Sequence, residues 1–102
     1  MIEIKIGQQT FQAAPLSLVE YKHMVKIFAD AQRDGLAGNV QCLASYYEAL
    51  LEIICVAVRR AGSEVDPEEI SRVATPWEIL KAAGELMKQS SMGDTPVIRK
   101  PN

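Results

Sequence analysis

Apolar and polar positions alternate at the start of the chain. Ile2, Ile4 and Ile6 fall on one side, Glu3 and Lys5 on the other, which is the period-two pattern of a half-buried strand. Gly7-Gln8 fits a two-residue turn with glycine at the first central position. That turn pairs Ile6 with Gln9, Ile4 with Phe11 and Ile2 with Ala13, and sets Phe11 among the isoleucines. A lone hairpin is marginal in water. Its apolar face is therefore expected on the chain's own helices, with pairing between chains through a free strand edge as the alternative.

The period then changes. Pro15 cannot extend a central strand. Ser17 with Glu20 reads as a capping box and Leu16 with Tyr21 as a hydrophobic staple. Leu18, Tyr21, Val25 and Phe28 follow at spacings of three and four, with Met24 beside them, and predict a first helix to about Arg33. Asp34-Gly35-Leu36-Ala37-Gly38 reads as a short connection. The stretch Asn39–Ala61 predicts the central helix, about 23 residues and roughly 35 Å long. Its second half, Leu50 to Val58, is apolar nearly all round, as in a helix covered on several sides. Asn39 is the expected N-cap, Arg59 and Arg60 suit the negative end of the dipole, and Gly62 stands where a left-handed residue ends a helix.

Two further starts are explicit. Asp66-Pro67-Glu68-Glu69 opens a short helix ending near Val73, and Thr75-Pro76-Trp77-Glu78 opens a last one to about Gln89. The expected apolar face of the last helix holds Trp77, Leu80, Ala83 and Met87, with Ile79 and Leu86 beyond one edge. Gly84 on that face weakens the helix or marks a close approach to a neighbour. The fold class is mainly α: a small domain of about four helices with an N-terminal β-hairpin over residues 1–89, followed by a flexible tail over 90–102.

At 102 residues the chain is one domain and can bury roughly 60–65% of its unfolded surface. With 48% hydrophobic and 24% charged residues it is neither disordered nor membrane-like in composition. The apolar run at 50–58 is too short for a membrane span, and the N-terminus has no signal-peptide pattern, so the expected location is the cytoplasm. A net charge of −2 argues against nucleic acid as the main ligand. Cys42 and Cys55 fall on one predicted helix, about 20 Å apart and beyond the roughly 7 Å reach of a disulfide. Both are expected reduced and mostly buried.

Sets of residues that would carry catalysis are weak. His23 stands without a second histidine, and zinc takes about four ligands at characteristic spacings. A Cys–His nucleophile pair would need Cys42 or Cys55 folded against His23 in an open cleft. Glu68 and Glu69 are explained by the helix dipole, and Gly35 and Gly38 lack the spacing of a phosphate loop. The helices at 67–73 and 76–89 have the order of a helix-turn-helix. The second, however, carries Glu78, Lys81, Glu85 and Lys88 in balance, where a recognition helix offers side chains for bases and phosphates. No enzymatic activity, cofactor or metal is expected. What remains is apolar surplus: Trp77 as a core plug or an exposed anchor for a partner, and adjacent Tyr46 and Tyr47, one in the core and one reaching outward.

The order of elements resembles the tail assembly chaperones of long-tailed bacteriophages. The residues that carry the likeness are the Ile-x-Ile-x-Ile-Gly hairpin, the Pro15-Leu16-Ser17 entry, the long helix closing on Ala57-Val58-Arg59-Arg60, and Asp66-Pro67-Glu68-Glu69-Ile70. They span roughly residues 2 to 90. The resemblance implies a non-enzymatic cytoplasmic protein that holds the tape-measure protein soluble while tail-tube subunits polymerise around it. Its expected partners are the tape-measure and tail-tube proteins, with self-association open and neither nucleic acid nor membrane as a partner. Many such proteins have a second, longer product made by frameshifting, and the tail Ser90 to Asn102 is where such an extension would attach. The partner-binding residues expected on this reading are Tyr46, Tyr47, Trp77, Leu80 and Met87. The alternatives are a small helical adaptor or regulatory protein that binds protein or DNA, and a structural head–tail component.

Overall fold

A computed structural model describes residues 2–38 and 42–92 of the chain. Strands β1 (Ile2–Ile6) and β2 (Gln9–Ala13) are followed by helices α1 (Leu18–Leu36), α2 (Leu43–Arg60), α3 (Pro67–Val73) and α4 (Pro76–Met92). The fold class is thus the expected one, four helices behind a two-stranded antiparallel hairpin.

The hairpin has the register that the alternation demands, with Ile6 opposite Gln9, Ile4 opposite Phe11 and Ile2 opposite Ala13. Gly7 supplies it by taking φ +63°, a value that glycine adopts without a Cβ penalty. Ile2, Ile4, Ile6 and Ala13 are buried. β1 lies against α4 and β2 against α2, and the Ala14 N–H donates to the Ala57 carbonyl at 2.9 Å. The apolar face of the hairpin is therefore covered within its own chain.

Helix α2 is the axis of the molecule and packs against α1, α3, α4 and β2. Leu50, Ile54, Cys55 and Ala57 are at most 1% exposed. Each large side chain so buried contributes roughly 1.5–3 kcal/mol. The helix runs from Leu43, with Cys42 preceding it without a side-chain cap; the expected N-cap Asn39 lies outside the described residues. Its far end is closed as expected. Gly62 takes φ +104°, its N–H donates to the Arg59 carbonyl, and the Ser63 N–H donates to the Val58 carbonyl. This is the paired hydrogen bonding of a Schellman end.

The starts of α1, α3 and α4 are those the sequence signals. Ser17 and Glu20 exchange hydrogen bonds at 2.9 and 3.2 Å, Thr75 and Glu78 at 2.8 and 3.2 Å, and Asp66 accepts from the Glu68 N–H at 3.1 Å. Such caps are each worth about 0.5–2 kcal/mol.

The faces of α1 and α4 depart from expectation. In α1 the buried residues are Met24 and Ile27, while Leu18 and Val25 are exposed. In α4 Ile79, Ala82, Ala83 and Leu86 are buried, Leu80 and Met87 are half-buried, and Trp77 is 67% exposed. Each helix carries two apolar stripes, and period alone does not say which one meets α2. Both helices also run further than expected, α1 through Gly35 to Leu36 and α4 through Gly84 to Met92. A Cβ on Gly84 would meet nothing within 4 Å, so no neighbour approaches closely there. Ser90–Met92 belong to α4 rather than to a tail; the remainder of the expected tail lies outside the described residues. Cys42 is exposed, not buried, and both cysteines are free.

A candidate partner-binding surface

The five residues expected to meet a partner do not form one site. Tyr46, in the first turns of α2, donates its hydroxyl to the Asp34 carboxylate at the end of α1. That donation is the main cause that holds the Asp34 carboxyl below its usual range, and the same bond holds the Tyr46 phenol above its own. Tyr46 is thus a clasp between two helices. Tyr47 is half-buried against the core. Trp77 stands beside the hairpin and lines a hollow with Lys5, Gly7 and Lys81. Leu80 packs against the core.

Met87 leads to a different surface. With Gly84 and Lys88 of α4 it lines a groove whose other wall is Tyr21 and Phe28 of α1. Tyr21 also borders an adjoining hollow lined by Leu16, Leu18, Ser90 and Ser91. The two meet at Tyr21 and run along the seam between α1 and α4. The seam is held at one end, where the Leu16 N–H donates to Ser90 Oγ at 2.9 Å.

The outer wall is Leu18, Tyr21 and Phe28, and Val25 continues the same stripe of α1 outside the hollows. Leu18 is 72% exposed and Val25 is 44% exposed, while Tyr21 and Phe28 are half-buried. These positions follow the spacing of a coiled-coil seam; α4 partly covers Tyr21 and Phe28, while Leu18 and Val25 stay exposed. The signal is present in the sequence, since this spacing is what predicts the helix, but the spacing alone points the stripe inward. Met24 and Ile27 take the inward role instead.

Titratable groups give little chemistry. Burial pushes the Cys55 thiol up to about 11, so it stays protonated at neutral pH and is a poor nucleophile. His23 is exposed. Among the described residues no three of His, Cys, Asp and Glu come together as metal ligands would, and no helix is long and apolar enough to cross a membrane. Arg60, which the sequence places simply at a helix end, reaches further. It donates to both Glu20 oxygens at 2.6 and 2.5 Å and to the Pro15 carbonyl at 3.0 Å, and so ties α2 to the start of α1.

In comparisons with known protein families, with curated proteins and with solved structures, no family, protein or structure matches this chain.

Proposed function

We propose that the protein is a non-enzymatic tail assembly chaperone of a long-tailed bacteriophage or prophage, which keeps a tape-measure protein soluble until tail-tube subunits assemble around it. The support is twofold. One part is the order of sequence features, from the isoleucine hairpin to the Asp66-Pro67-Glu68-Glu69 helix start. The other, which carries the reading, is the partly exposed apolar stripe on α1, with Leu18 at 72% exposure and Val25 at 44% beside a well-packed core. A holder of long helical clients needs such a surface: apolar enough to shield a client's stripe, and limited enough in area to release it.

The test is an affinity pull-down of the tagged protein from cells expressing its native operon, with mass spectrometry of the eluate and of purified virions. The expected result is a long, helix-rich tape-measure protein or a tail-tube protein in the eluate, and this protein missing from virions. Recovery of a regulator unrelated to any tail would favour the adaptor reading. Presence in virions would favour a structural head–tail role. Salt-sensitive retention on heparin would favour a DNA-binding regulator.

A further inference from the structure

We infer that the groove between α1 and α4 binds a short amphipathic helix whose apolar stripe is flanked by acidic residues. Shape gives the first half. The apolar lining runs from Leu18 to Phe28, about 15 Å along the axis and so roughly three turns of a bound helix. Exposed Leu18 on one wall, with Val25 seven positions further along the same stripe, and the bare backbone of Gly84 on the other accept the side chains of a helix laid lengthwise.

Charge gives the second half. No carboxylate lines the groove among the described residues. Lys88 lies on the α4 wall. Lys22, four residues after Leu18 and three before Val25, stands exposed beside the α1 stripe. Neither lysine makes an ion pair among the described residues. Of the nearby carboxylates, Glu20 is paired with Arg60; Glu85 keeps its charge, hydrogen-bonded to the neutral Gln89 amide, and lines the hollow beside Trp77 rather than the groove. A net charge of −2 thus coexists with a groove that has one lysine on its wall and a second beside its α1 stripe. Such lysines select an acid-flanked helix and oppose self-pairing, which would set lysines of one copy against those of another.

The inference extends the chaperone reading by giving the chemistry of the client segment, yet it can be tested apart from it. The probe is a labelled helical peptide of about 18 residues with leucine at heptad first and fourth positions and glutamate beside them, its helicity verified by circular dichroism. A sequence-matched peptide with lysine for glutamate is the control. The glutamate peptide is expected to bind, about tenfold more tightly than the lysine peptide at low salt and with the gap closing as salt rises. The double variant L18S/V25S, altered only at exposed positions, should weaken binding at least tenfold with an unchanged unfolding curve. K22E/K88E should reverse the preference. Equal binding of both peptides, unchanged affinity in L18S/V25S, or binding to anionic vesicles and not to peptide would overturn the inference. So would self-association that L18S/V25S abolishes. Capture of the tape-measure protein by L18S/V25S as well as by the wild type would remove the groove and leave the chaperone. The expected peptide results with no tail protein in any pull-down would do the reverse.

Discussion

The Arg60 guanidinium grips both oxygens of Glu20 at 2.6 and 2.5 Å, while Glu20 Oε1 also accepts the Ser17 N–H at 2.9 Å. One carboxylate thereby caps α1 and anchors the end of α2. The pair is partly solvated, with side chains 40% and 24% exposed, so its worth is that of a well-formed bridge near the surface plus part of a cap. Glu20→Gln is expected to lower stability by about 1 kcal/mol in urea unfolding. Partial burial works to raise the Glu20 pKa, but the Ser17 amide and Arg60 outweigh it and the net value is lowered. A lowered carboxyl pKa contributes stability that is full above the ordinary value of 4.5 and is lost as pH falls through the folded value. The gap between wild type and Glu20→Gln should therefore be constant near neutrality and narrow in acid below pH 4.5. A gap independent of pH would assign the loss to shape alone.

The Tyr46–Asp34 hydrogen bond gives a clasp with two limits. The bond lowers the Asp34 pKa and raises that of Tyr46. Its contribution is full above 3.8 on the acid side and is lost as pH falls through the folded Asp34 value. On the alkaline side it is full below 10.0 and is lost as pH rises through the folded Tyr46 value. Spectrophotometric titration should find one tyrosine ionising above 10.0, and Tyr46→Phe should remove it. In the same variant the Asp34 carboxyl, followed by carbon NMR, should titrate closer to its ordinary value. An unmoved Asp34 titration would show that the tyrosine is not its main partner.

These contacts show what the chain reveals before folding. The hairpin register, the Ser17 and Thr75 caps and the Gly62 helix end are legible because each is decided within a few residues. The inward faces of α1 and α4 are not. Met24 and Ile27 compete with Leu18, Val25 and Phe28 for the core along one helix, and Ile79 and Leu86 compete with Trp77 and Met87 along the other. Only the position of α2 and of the hairpin decides between them. The same competition hides the candidate groove, since its outer wall has the spacing of a core stripe. Arg60 reads locally as a favourable charge at a helix end; its bond to Glu20 spans 40 positions of chain and leaves no local trace.

The two thiols should separate cleanly. Cys55 is fully buried and its pKa is raised to about 11 by that burial, whereas Cys42 is exposed ahead of α2. At neutral pH a thiol reagent is expected to modify one group rapidly in the native protein and the second only at the rate of unfolding. Denaturant should equalise the two. Mass spectrometry should place the fast label on Cys42. Rapid labelling of both in the native state would mean that the core around α2 opens far more often than its packing implies.

Gly84 offers the sharpest conflict between stability and surface. It sits inside α4 without a left-handed backbone, and a Cβ added there would have open space for 4 Å around it. Gly84→Ala is therefore expected to stabilise the protein by about 0.5–1 kcal/mol, by reducing the freedom of the unfolded chain and favouring the helix. The glycine also lines the groove beside Met87 and Phe28, where an absent side chain lets another backbone come near. The alanine variant should thus unfold at a higher urea concentration and bind the glutamate-flanked peptide more weakly. Opposite signs in the two measurements would tie the glycine to the groove's occupant. A gain in stability with unchanged binding would place the bound helix further toward Leu18, against the α1 wall alone.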